Sequence, residues 1–121
     1  IAFAEIAVIV NPGNNNALTK EEIASLYLAK NKTFADGKTA IPLDRTEGSP
    51  LRSEFISKVL NKDEAQMKAY WSRLIFTGKG VPPKVVTSDE ELKDIVARNL
   101  DAIGFIDASA VDDTVKIVAK F

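Results

Sequence analysis

Ile6-Ala7-Val8-Ile9-Val10 contains no polar side chain, and four of its five residues are β-branched. A run this short and this apolar reads as a strand that must be covered on both faces. Helices on both sides of a sheet supply that cover. The rest of the chain has the pieces for it. Asn11-Pro12-Gly13-Asn14-Asn15-Asn16 ends the first strand with turn chemistry. Thr19 to Glu22 reads as a capping box, with Leu18 and Ile23 as its hydrophobic staple, ahead of a helix carrying Ile23, Leu26 and Tyr27. Asp36-Gly37 marks a turn, and Ala40 to Arg45 is a second short strand that Pro42 pushes toward an edge or end position.

Ser49-Pro50 opens a helix, with serine as N-cap and proline at the first helical position; Leu51, Phe55, Ile56 and Val59 are its apolar face. Asn61 to Glu64 is expected to start another, with Asn61 as N-cap and Met67, Tyr70, Trp71, Leu74 and Ile75 at helical spacing. Val85-Val86 is a short strand. Ser88 to Glu91 reads as a further capping box before Leu92, Ile95 and Val96, and Ala102–Ile106 and Val115–Val118 close the chain as strands. Strands and helices that alternate through short connections predict an α/β three-layer sandwich, α/β/α, with a mostly parallel mixed sheet of about five strands. In such open sheets ligands sit outside the carboxyl ends of the strands, so the loops Asn11–Asn16 and Arg45–Ser49 are the places to expect one. At 121 residues this is one domain, over residues 5–121. Ala2-Phe3-Ala4 before Glu5 reads as the end of a signal peptide, which would make residues 1–4 its remnant and the protein an exported one; the alternative is that Ile1 to Val10 is simply a hydrophobic strand.

Composition narrows the chemistry. There is no His and no Cys, so Cys nucleophiles, Ser-His triads, disulfides and the usual zinc sites are excluded, and no cofactor is expected. Sixteen Lys and Arg against seventeen Asp and Glu argue against a broad nucleic-acid-binding surface, while leaving room for a local cationic pocket.

Arg45-Thr46-Glu47-Gly48-Ser49-Pro50-Leu51-Arg52 is the stretch best suited to such a pocket, because it joins a strand to a helix start. The first amides of a helix lack partners within it, and the helix dipole there favours an anion. Ser49 adds a hydroxyl, Gly48 allows close approach, Arg45 offers a planar fork, and Arg52 adds charge from the first turn. No nucleophile and base accompany them, so binding is expected and not turnover. The same residues also fit a purely structural role, with Ser-Pro serving the cap and Arg45 paired to Glu47 or Asp44. Thr77-Gly78-Lys79-Gly80 lacks P-loop spacing and follows a helix, Tyr70-Trp71 fits a core, and Asp112-Asp113 fits a solvated turn.

The order of these pieces resembles the periplasmic phosphate-binding proteins of ABC transporters. The segment Leu18 to Lys30 is similar to a family helix, and Phe34-Ala35-Asp36-Gly37 stands where the family often has Trp-x-Asp-Gly. Arg45-Thr46-Glu47-Gly48-Ser49-Pro50-Leu51 stands where the family has Arg-x-x-Gly-Ser-Gly-Thr. Gly78-Lys79-Gly80 resembles its Gly-Lys-Gly loop, and Asp101-Ala102-Ile103-Gly104-Phe105 its Gly-Ala-Ile-Gly-Tyr strand. The resemblance implies a phosphate or similar oxyanion ligand held by Arg45, Thr46, Gly48, Ser49, Leu51 and Arg52, a periplasmic location and an ABC transporter membrane component as partner. Pro50 and Leu51 depart from the pattern by removing an amide donor and a hydroxyl. Family members have two lobes, and this chain matches the second alone, so a homodimer or a second protein would complete the cleft. The alternative is a cell-envelope interaction module that kept the fold and lost the ligand.

Overall fold

The computed structural model describes residues 5–121, and the proposed signal-peptide remnant lies outside the described residues. Five strands form one open sheet: β1 (Ile6–Val10), β2 (Ile41–Arg45), β3 (Lys84–Val86), β4 (Ala102–Asp107) and β5 (Lys116–Lys120), in the order β3-β2-β4-β1-β5. β2 runs parallel to both β3 and β4, whereas β1 runs antiparallel to both β4 and β5. The sheet is therefore mixed, as expected, with β1 as the reversed strand. That reversal corrects one expectation. The Asn11–Asn16 loop leaves the end of the sheet opposite to Arg45, because Val10 pairs with Ile103 and Ile6 with Asp107.

Helices cover both faces: α1 (Lys20–Tyr27), α2 (Pro50–Phe55) with a π-turn at Ile56–Leu60, α3 (Glu64–Phe76) and α4 (Asp89–Arg98). Every β1 side chain is fully buried, with Ile6, Val8 and Val10 in the cluster beneath α1 to α3 and Ala7 and Ile9 in the cluster beneath α4. The all-apolar run thus buries alternately into two cores, which is what its lack of alternation required. On the larger side, Phe55 stacks on Phe105 with ring centroids 4.0 Å apart, and Tyr27 meets both edge-on. The Tyr27 hydroxyl donates to Leu43 O at 2.8 Å, and burial pushes its pKa well above the ordinary phenol value.

The caps at Thr19 and Ser49 form as read, the first with its full reciprocal box. α3 instead begins at an Asp63 cap boxed with Gln66, while Asn61 sits in the left-handed region (φ 54°) and ends the preceding π-turn. Ser88 caps α4 by accepting from the Glu91 amide at 3.1 Å. Pro42 lies in an internal strand, not at a sheet edge. It pairs with β4 at the start of β2, before the β3 ladder begins at Leu43, so its missing N–H interrupts no bond to β3.

Gly104 sits at the centre of β4, where a Cβ would come within 2.6 Å of Leu92 Cδ2 and 3.1 Å of Cγ. Leu92 is itself fully buried and has nowhere to retreat. Gly104→Ala is therefore expected to destabilise the fold by about 1–3 kcal/mol in urea titration, as overpacked cores do. An unchanged midpoint would show that α4 slides outward at no cost.

Candidate functional site

The parallel strands β2 and β4 end side by side, and two helices begin just beyond them: α2 after Ser49 and α4 after Ser88. A cavity of about 480 Å³ opens there, lined by Ile6, Pro50, Leu51 and Glu54 on one side and Arg45, Ser88, Asp89, Glu90 and Asp107 on the other. It is the largest of the described cavities, and the carboxyl end of an open sheet is where an α/β fold places a ligand.

Arg45 is the buried cation of this cavity, only 7% exposed. Its Nε donates to Val86 O at 3.1 Å, and Nη1 donates to Phe105 O at 3.2 Å and to Asp89 Oδ1 at 2.5 Å. The fork is thus held by two strand ends and one carboxylate. Nη2 makes no hydrogen bond among the described residues. Its ion-pair partner is neither Glu47 nor Asp44; Asp44 instead accepts the Arg45 backbone amide at 2.8 Å.

The six sequence-predicted site residues separate. Arg45 and Leu51 line the cavity. Thr46 and Gly48 form the turn that leads to α2: the Ser49 amide donates to Thr46 O at 3.1 Å, and Gly48 has φ 85° with open space where a Cβ would sit. Gly48 therefore serves the turn through its left-handed backbone, not by making room for a guest. Ser49 Oγ accepts the Arg52 amide at 3.3 Å, which leaves its hydroxyl proton unspent. Pro50 has no N–H, so Leu51 carries the remaining amide of that first turn. Arg52 points elsewhere. It pairs with Glu64 at 2.7 Å and lies 3.4 Å from Asp44 without an aligned hydrogen bond, lining a separate cavity of about 230 Å³ with Glu47, Met67 and Trp71. Burial raises the Asp44 pKa, against the opposing pull of the Arg45 amide and Arg52.

Sequence reading missed Asp89, Glu90, Glu54 and Asp107 as neighbours of Arg45. The Ser88 cap announced the α4 N-terminus, but nothing local announced that it would meet Arg45. These carboxylates are largely answered by their own partners. Glu54 meets Lys58 at 3.2 Å, Glu90 meets Lys93 at 2.9 Å, and Asp107 accepts from Ser109 amide and hydroxyl at 2.9 and 2.8 Å. Lys93 also holds Asp112, whose pKa falls to about 2 under the Thr114 hydroxyl and the ammonium together.

No protein-family model and no curated protein matches this chain. Solved structures do. An ABC-type phosphate transport receptor from Vibrio cholerae superposes with a TM-score of 0.74 at 23% identity, over 95% of this chain and 46% of that one. A Clostridium perfringens protein, described as a phosphate ABC transporter substrate-binding protein and solved with bound phosphate, gives 0.74 at 25% identity, over 98% of this chain and 46% of its own. PstS from Borrelia burgdorferi gives 0.69 at 16% identity, over 98% and 49%. The chain spans just under half the length of each neighbour. Its fold is that of a single solute-binding-protein lobe. More particularly, its structural neighbours are phosphate ABC transporter substrate-binding proteins.

Proposed function

We propose that this chain is a phosphate-binding-protein-like component of ABC-type phosphate uptake, acting in the periplasm and holding a small oxyanion weakly at the Arg45–Ser49 turn without converting it. The observation that carries this reading is the placement of the largest cavity. It sits at the carboxyl ends of β2 and β4, with buried Arg45 in its wall and the start of α2 beside it, in a fold shared with a phosphate-bound neighbour. Arg45 and Leu51 line that cavity and Ser49 lies outside its lining, so in this reading the Arg45 guanidinium is the principal donor to the anion, with the start of α2 beside it.

Affinity is expected to be low. Asp89 already neutralises Arg45, and Pro50 and Leu51 each remove a hydrogen bond worth about 1.5–3 kcal/mol to a charged acceptor. A millimolar constant, about 4 kcal/mol, is the scale this arrangement supports. A second body, either an envelope protein or another copy of this chain, would supply the rest of the ligand shell and raise it. The Arg45–Asp89 pair favours one other reading, a cell-envelope interaction module in which that corner is purely structural.

Calorimetry separates the two. Phosphate is expected to bind the natural chain at millimolar concentration, with sulfate and chloride as controls. Asp89→Asn, which frees the fork while keeping its two carbonyl contacts, is expected to bind about tenfold tighter, since a charged partner is worth more than about 1.4 kcal/mol at a half-buried site. If neither protein gives heat or a thermal shift at ~10 mM phosphate, the oxyanion reading is wrong and the interaction module stands.

A further inference from the structure

From Ala65 to Ser88 the chain carries Lys68, Arg73, Lys79 and Lys84 and no carboxylate, in a protein whose formal net charge is −1. All four cations are exposed, and none forms an ion pair among the described residues. The same segment holds four of the seven large apolar side chains left exposed: Phe76 at 92%, Val81 at 81%, Ile75 at 54% and Val85 at 51%. We infer that this basic, apolar face is a docking surface for an anionic lipid bilayer.

The fold makes these side chains project. On α3 the buried Met67 and Trp71 lie nine and five residues before Phe76, which at 100° per residue places Phe76 on the far side of the helix from the core. Gly78 then turns the chain in the left-handed region (φ 71°), and Gly80 packs near Ala29, Leu74 and Trp71, with Val81 left outward. β3 follows as the sheet's edge strand, with Val86 buried and Val85 facing out. Along the chain the exposed apolar residues Ile75, Phe76, Val81 and Val85 are interleaved with the exposed cations Arg73, Lys79 and Lys84.

Two arguments select a bilayer as the occupant. The first is charge complementarity: unpaired Lys and Arg with no acid between them match the phosphates of anionic headgroups. Glu47 and Glu64 line the cavity beside Lys68 and Ile75, where Glu64 is held by Arg52, and Asp44, the β2 partner of Val85, lies beside Arg52. The second is shape. The Phe76 ring is almost wholly exposed, and the headgroup–acyl boundary accepts such projecting apolar groups with cations at headgroup level. Among the described residues no helix is long and apolar enough to cross a membrane, so this contact is peripheral.

Co-sedimentation of the full chain with vesicles tests the assignment. The protein is expected to pellet with phosphatidylglycerol–phosphatidylcholine vesicles about tenfold more strongly than with phosphatidylcholine alone, and about 0.5 M salt should remove most of that preference. Phe76→Ser with Val81→Ser is expected to weaken binding to the anionic vesicles by about tenfold while leaving the melting temperature unchanged, because both side chains are exposed. A Phe76→Trp variant should show a blue-shifted emission with anionic vesicles. No pelleting of the natural chain overturns the proposal. So does salt-sensitive pelleting indifferent to the double substitution, which would make the contact purely electrostatic. A dimer in sedimentation that the double variant dissolves would assign the face to a second copy and overturn it as well.

Discussion

Phe55→Ala is expected to cost about 3–5 kcal/mol of folding stability, the usual toll for emptying a large aromatic site in a core. Phe55 is 1% exposed, lies nearly flat on Phe105 (3° between planes) and takes the edge of Tyr27 at 4.7 Å. Its neighbours cannot close the gap. Phe105 sits in β4, bonded on both sides by β1 and β2, and Tyr27 is anchored by its hydroxyl to Leu43. Single domains have about 5–15 kcal/mol in total, so the variant should be marginal. Urea denaturation read by far-UV circular dichroism measures this, and a loss under about 1 kcal/mol would mean that α2 can settle onto the sheet without the ring.

Arg45→Gln should be the largest polar effect, at about 2–3 kcal/mol of stability together with loss of phosphate heat. Three acceptors lose their donor at once: Val86 O, Phe105 O and Asp89. Removing one member of a buried pair generally costs about 3–5 kcal/mol, but the Asp89 side chain keeps 27% of its surface and water softens the loss. The double variant Arg45→Gln, Asp89→Asn should recover part of the stability and none of the phosphate binding. Recovery of both would show that the guanidinium has no role in holding the anion. The contrast with Asp89→Asn alone, expected to bind more tightly, separates the bracing of Arg45 from its use.

Local chemistry was legible in the sequence where one residue dictates one conformation. Thr19, the Ser49-Pro50 start and the apolar run of β1 all read correctly, because caps and burial periods act over a few residues. The failures are equally physical. Two cap-forming residues compete before α3, and Asp63 takes the cap because Gln66 can answer it, while Asn61 takes the left-handed position that asparagine tolerates. Strand direction is invisible in β1, since an all-apolar pentapeptide looks the same either way round. Its reversal moved Asn11–Asn16 away from the candidate pocket. The partner of Arg45 lies forty-four residues away on α4, and only the sheet brings them together. Arg52 looked like part of the pocket from its place in the first turn, but the helix directs it to Glu64.

The strand order has a temporal consequence. β1 precedes β4 and β5 in the chain and is bonded only to them, and Ile6 and Phe121 exchange both amide hydrogen bonds. Until β4 and β5 are in place, the five apolar side chains of β1 lack their partner strands. Closure of this sheet therefore waits on contacts between segments far apart in sequence, the kind of pairing that slows folding.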